Sequence, residues 1–260
     1  MKTSGTRISI TCRMLVLPLF CSRLAAATVS FSAVSDTSMF EAKPDSDLGG
    51  TTLVAGTNQQ YSRSRALFRF DLSTLPADAV VTGVEVSLYV TRKPDPDQHS
   101  GPANSDFNLH RLFVSWGEGN GSNVTGSTAL PGDATWNERH YGTSSWGTPG
   151  GLIGVDYQET ASATTAIGDV GGYLWSSTPE LLADVTAWQN DPSSNFGFIL
   201  VSQGEAALGS ARRFGAREQP GGQTPAAQLI VTYTVVPEPA AAGLWLIGMA
   251  GFVFLRKRRA

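Results

Sequence analysis

The chain reads as all-β, a jelly-roll-like sandwich of two sheets and about ten strands, and three observations lead there. From Ser64 to Thr91 the side chains alternate with a period of two. Ala66, Phe68 and Phe70 interleave with Leu67, Arg69 and Asp71, while Val84, Val86, Leu88 and Val90 interleave with Glu85, Ser87, Tyr89 and Thr91. Only 16% of the 260 residues are charged and 28 are glycine, a composition suited to short strands joined by turns. Both cysteines, Cys12 and Cys21, fall in the first 27 residues. The rest of the chain therefore has no disulfide, thiolate metal site or cysteine nucleophile, and its stability must come from burial.

Residues 1–27 have the form of a secretory signal peptide. Lys2, Arg7 and Arg13 precede the apolar run Met14 to Phe20, and Ala25-Ala26-Ala27 supplies the small residues, with cleavage after Ala27. Phe20 is too bulky to precede a lipidated Cys21. One domain, 28–236, follows, since no internal linker divides it.

Within it, Thr28–Val34 and Asp36–Phe40 alternate as strands, and Thr51–Gly56 is a short apolar strand between glycines. After the first arm of the central stretch, Ser73, Pro76 and Asp78 favour a capped turn over a two-residue hairpin. Pro94, Pro96, Gly101 and Pro102 keep 93–105 out of a sheet ladder. Phe107–Ser115 returns to strand. From Trp116 to Gly172 the chain is rich in Gly, Ser and Thr and reads as irregular, and loops longer than about 15 residues are usually functional or mobile. In Pro179–Asp191 we expect a strand over Leu181–Val185, then a single helical turn capped by Thr186. Asn195–Gln203, Arg212–Glu218 and Ala227–Val235 complete the strands.

Residues 237–260 form a separate tail. Pro237-Glu238-Pro239 is followed by sixteen uncharged residues, Ala240 to Leu255, and then by Arg256-Lys257-Arg258-Arg259. A helix over that run is about 24 Å long, against about 30 Å of bilayer hydrocarbon, so it serves as a short transmembrane helix with a cytoplasmic basic anchor. The body then lies outside the inner membrane.

This tripartite tail resembles the PEP-CTERM sorting signal. The resemblance implies passage through the secretion machinery, a transient inner-membrane intermediate, recognition of Pro237-Glu238-Pro239 by an exosortase, and release to the cell surface or the extracellular space. The body carries a second likeness. Phe68-Arg69-Phe70-Asp71-Leu72-Ser73 with Leu75-Pro76, then Ala134-Thr135-Trp136-Asn137, Asp184-Val185-Thr186-Ala187-Trp188 and Asn195 to Leu200, in that order, resemble the DNRLRE domain, a β-sandwich module of extracellular proteins.

Charge narrows the function. Between Thr28 and Val236 stand eleven Lys and Arg against twenty-one Asp and Glu, a net charge of −10. Such a body disfavours nucleic acid. It also disfavours a polyuronate ligand unless Arg63, Arg65, Arg92, Lys93 or Arg212-Arg213 gather into a local patch. His99, His110 and His140 are scattered, and no nucleophile elbow, zinc-helix motif or phosphate loop occurs. No catalytic residue is assigned.

Two candidate sites remain. Asp36 and Glu218 are candidate calcium ligands, because hard cations take carboxylate oxygens and the first and penultimate strands can be neighbours. Their bland alternative is surface carboxylates satisfied by turn amides. Trp136, Tyr141 and Trp146 are the candidate carbohydrate platform, since flat aromatic faces stack on sugars. Their alternative is a plug at one end of the sandwich. The expected function is that of a non-catalytic, surface or extracellular protein of the exopolysaccharide or biofilm matrix. A polysaccharide-active enzyme and a purely structural module are the competing classes.

Overall fold

The computed structural model describes residues 25–50, 52–95, 104–122, 126–218 and 225–235. Most of the expected signal peptide, the sorting residues Pro237, Glu238 and Pro239, and the apolar run 240–255 lie outside them. Among the described residues no helix is long and apolar enough to cross a membrane.

The long strands follow the periodic stretches, and short ones are added in the stretch read as irregular. They are β1 (Ala26–Phe40), β2 (Ser46–Asp47), β3 (Leu53–Thr57), β4 (Arg63–Phe70), β5 (Ala79–Arg92), β6 (Ser105–Arg111) and β7 (Ser127–Thr128). Then come β8 (Glu138–His140), β9 (Ser144–Ser145), β10 (Ala163–Ile167), β11 (Gly171–Trp175), helix α1 (Pro179–Asn190), β12 (Phe198–Ser202), β13 (Arg212–Phe214) and β14 (Gln228–Val235). Ten strands join in one antiparallel sheet, ordered β1-β14-β5-β13-β3-β4-β12-β6-β10 with β11 beside β5. Strands β2–β7 and β8–β9 form small separate pairs.

Two strands fold this sheet over. The two strands expected between Thr28 and Phe40 are one, which pairs with β14 up to Ser32 and with β4 from Ala33, with a bulge between Ala33 and Ser35. β3 likewise faces β13 through Ala55 and β4 from Gly56. Gly56 has φ of 104° and sits where a Cβ would lie 2.7 Å from the Ser210 carbonyl oxygen, so only glycine makes this turn. The halves of the sheet then meet face to face. Phe107 on β6 packs edge-on against Phe214 on β13 at 5.9 Å, and Trp175 Nε1 on β11 donates to the Phe107 carbonyl at 2.8 Å.

The alternation read from β5 is realised, with Val84, Val86, Leu88 and Val90 all in the main core. β4 departs from it. Phe68 and Phe70 enter that core, but Arg65 and Leu67 on the opposite side are buried as well. Residues drawn from 112–157 cover that outer face with a second apolar cluster around Leu67, Trp136, Trp146, Tyr157 and Ile199. Much of the stretch read as irregular is thus a packed layer, and the same stretch contains β10 and the start of β11, strands that the sequence reading had not separated from it.

The strand expected over Leu181–Val185 is instead the middle of α1. Thr178 caps it, accepting from the Leu181 amide at 3.0 Å, and Pro179 opens the first turn. Leu181, Asp184, Val185 and Trp188 are its buried side, a spacing of three and four that a strand cannot match.

Candidate metal centre

Three carboxylates meet at the second half of β1, just past its bulge. The bulge after Ala33 turns Asp36 inward, and it is completely buried. Glu218 arrives just past β13, and Glu118 comes from the glycine-rich loop after β6. Their ligating oxygens lie within 4.8 Å of one another. Calcium oxygens sit at about 2.3–2.6 Å, so ligands on opposite sides of an ion stand up to about 5 Å apart.

The loop is shaped to deliver Glu118. Gly117 lies where a Cβ would be 1.7 Å from the Gly132 carbonyl oxygen, and Gly119, with φ of 73°, where it would be 2.4 Å from Asp47 Oδ1. Only a chain without side chains at these two positions threads between the segments before and after it. Asp47 Oδ1 fastens the passage by accepting from the Gly49 and Gly121 amides at 2.8 and 3.0 Å.

Hydrogen bonds satisfy part of the carboxylate set. Glu118 Oε1 accepts from the Asp36 amide at 2.8 Å and from Arg217 Nη2 at 2.9 Å. Asp36 Oδ2 accepts from the Arg217 amide at 2.8 Å, and Arg217 also pairs with Glu218. Asp36 Oδ1 and Glu218 Oε2 are buried with no hydrogen-bond partner among the described residues. Burial pushes the Asp36 carboxyl up to about 7 against the pull of the Arg217 amide, and Glu218 and Glu118 add to the rise. Burial likewise raises Glu218. One guanidinium facing three acids leaves negative charge that a divalent ion would neutralise, and the two orphaned oxygens are the ligands it would take. The donor set fits calcium: all oxygen, with one ligand buried and two partly exposed.

Asp36 and Glu218, 182 residues apart in sequence, therefore converge, and Glu118 joins them. Sequence reading missed Glu118. Its only signal is a lone acid between two glycines. The aromatic trio separates differently. Trp136 and Trp146 are 3% and 4% exposed inside the second cluster, with Trp146 Nε1 donating to the Thr135 carbonyl at 2.9 Å. An indole must be reachable to stack on a sugar, so these two plug the fold rather than present a platform, and of the three only Tyr141 is partly exposed. Ala27, the residue before the expected cleavage, pairs with Tyr233 in the second register position of β1.

Residues 235–259 match the family model of the PEP-CTERM protein-sorting motif. The chain is exported and sorted to the cell surface or extracellular space by an exosortase. The match covers the tail alone, and no curated protein matches the chain.

Proposed function

We propose that the body, 28–236, is a non-catalytic jelly-roll sandwich of the DNRLRE kind, displayed on or released from the cell surface, where it associates with exopolysaccharide of the biofilm matrix. The sorting tail holds it briefly at the inner membrane through the apolar run 240–255 before exosortase cleavage. A structural calcium ion held by Asp36, Glu118 and Glu218 ties the first strand, the glycine-rich loop and the segment after β13 together. The observation that carries this reading is the pair of buried, unpartnered oxygens on Asp36 and Glu218. A cysteine-free exported fold gains from such a clasp what a disulfide provides elsewhere, because an ion that binds only the folded state stabilises it by mass action.

The test is thermal unfolding of the full chain in mild detergent, with calcium or with chelator, beside Asp36→Asn. Calcium is expected to raise the midpoint by several degrees in the wild type and to leave the variant unmoved. Equal midpoints with ion and chelator in the wild type would remove the metal assignment. Retardation on exopolysaccharide affinity gels, with no release of fragments, checks the binding role. Fragment release would make the protein an enzyme.

A further inference from the structure

Five of the eleven Lys and Arg residues of the body line one groove: Lys43, Arg92, Lys93, Arg212 and Arg213. The groove holds about 560 Å³ and runs between the segment after β1, the β3–β4 hairpin, β13 and the end of β5. Its lining contains one acid, Asp95. In a body of net charge −10, random scatter would set about two acids beside every cation.

The remaining six cations show how this protein treats a cation it needs for structure. Arg63 pairs with Glu41, Arg65 with Glu205 and Arg217 with Glu118 and Glu218, while Arg111 stands 3.9 Å from Asp184. Arg69 and Arg139 bond serine oxygens. In the groove, Lys43, Arg92 and Arg213 make no ion pair among the described residues, and Lys93 reaches Asp169 outside the lining. Arg212 is buried and donates to the carbonyls of Gly168, Gly209 and Ser210 at 2.8, 3.2 and 3.1 Å, which fixes its charge beneath the floor.

Arg92 and Arg213 are direct cross-strand partners. Like charges placed opposite one another destabilise a sheet. Burial, and then the charge of Arg92, lower the Arg213 guanidinium below its usual range. Gln59 Nε2, a buried donor without an acceptor among the described residues, lines the same groove. At the hairpin tip Tyr61 is 70% exposed and held at φ 59°, a left-handed conformation that is strained for a non-glycine residue. Asn58 Oδ1 enforces that turn by accepting from the Gln60 and Ser62 amides at 2.8 and 3.1 Å. Gln60 and Ser62, the chain neighbours of Tyr61, both line the groove.

We propose that this groove binds an anionic polysaccharide, seating a uronate carboxylate between Arg92 and Arg213 with Tyr61 against a neighbouring sugar ring. Planar guanidinium forks match a carboxylate, and the anion relieves the repulsion between them. The inference rests on the polysaccharide-binding reading above and gives it a ligand class and a place. Duplex DNA is the alternative polyanion, and the acidic remainder of the body opposes it.

The experiment uses the full chain in mild detergent at fixed calcium. Native affinity gels carry polygalacturonate or neutral dextran, and titrations use oligogalacturonate or a DNA duplex. Polygalacturonate alone should retard the protein, less so as salt rises. Arg213→Glu and Arg92→Glu should each weaken oligogalacturonate binding about tenfold or more. Both variants should melt no lower than the wild type, because each converts a repulsive pair into an attractive one, and Arg139→Glu should bind as the wild type does. Retardation by dextran equal to that by polygalacturonate, unaffected by Arg213→Glu, would overturn the groove while leaving carbohydrate binding intact. Failure on every gel would remove both readings. DNA bound as tightly as oligogalacturonate would overturn the polysaccharide assignment.

Discussion

The two apolar cores of this protein are built by different means, although β4 and β12 serve both. Phe68 and Phe198 point into the main core, and their chain neighbours Leu67 and Ile199 point into the second. The main core is made of strand residues at every second position, with α1 closing it through Leu181, Val185 and Trp188. The second is assembled from loop residues whose backbone needs polar stitching. The Gly150 amide donates to the Trp136 carbonyl at 2.6 Å, and Asp156 Oδ2 accepts from the Gly147 and Leu152 amides at 2.8 and 2.7 Å. Arg65, beneath it, pairs with Glu205 at 2.8 Å and donates to the Gly150 carbonyl at 2.8 Å. Periodic strands supply their own hydrogen bonds and bury apolar surface as a by-product, whereas loops must be tied before they can bury anything.

Four substitutions set the cores against each other. Phe198→Ala removes a ring packed on Trp188 at 4.8 Å and should cost about 4 kcal/mol, read as a loss of global stability in denaturant unfolding. Arg65→Met leaves Glu205 without its partner and should cost about 3 kcal/mol. Hydrogen exchange should speed first at 146–157 in that variant. Uniform loss of protection across both cores would mean that they unfold as one.

The third test is pH. His110 on β6 is buried, packs its ring on Tyr157 at 5.3 Å and donates from Nδ1 to the Gln158 carbonyl at 2.9 Å. Burial, helped by the Arg65 charge, lowers its pKa from the ordinary 6.5. The unfolded chain therefore binds a proton more readily, and the contribution of neutral His110 is present above about pH 6.5 and lost as pH falls below it. Asp36 and Glu218 are shifted upward and act in the opposite sense, so the comparison with His110→Gln is what isolates the histidine. The wild type should lose more melting temperature than that variant between pH 7 and 5. Equal slopes would show that the second core does not sense acid through this residue. The smallest effect is expected from Arg63→Gln, whose half-exposed pair with Glu41 and contact 5.3 Å from the Trp136 ring should be worth less than about 1 kcal/mol in the same melts.

The same contrast explains what could be read beforehand. β5 and β14 were legible because one side of each meets the main core and the other meets water. β4 was legible as a strand but not as doubly buried, since nothing near Leu67 announces that Trp136 and Tyr157 will cover it. The helix was misjudged because Leu181 and Val185 fit a short strand as well as a helix face, and Thr178 was overlooked in favour of Thr186 as the cap. Two of the three clustered carboxylates, Asp36 and Glu218, were named beforehand, but on the premise that the first and penultimate strands are neighbours, which they are not: β1 pairs with β14 and β4, and β13 with β3 and β5. Glu118 was not named, because loop geometry set by Gly117 and Gly119 depends on the segments they squeeze between.

Sequence by itself determined the all-β class, the absence of disulfides in the body and the sorted, exported fate, since alternation, cysteine position and the Pro-Glu-Pro tail are properties of neighbouring residues. Tertiary structure alone decided that Asp36, Glu118 and Glu218 share one site and that five cations share one groove. The carboxylates stand 82 and more residues apart and the cations come from three segments, at Lys43, at Arg92-Lys93 and at Arg212-Arg213, and the folding of the sheet at the β1 bulge and at Gly56 brings each set within reach of a common ion or a common ligand.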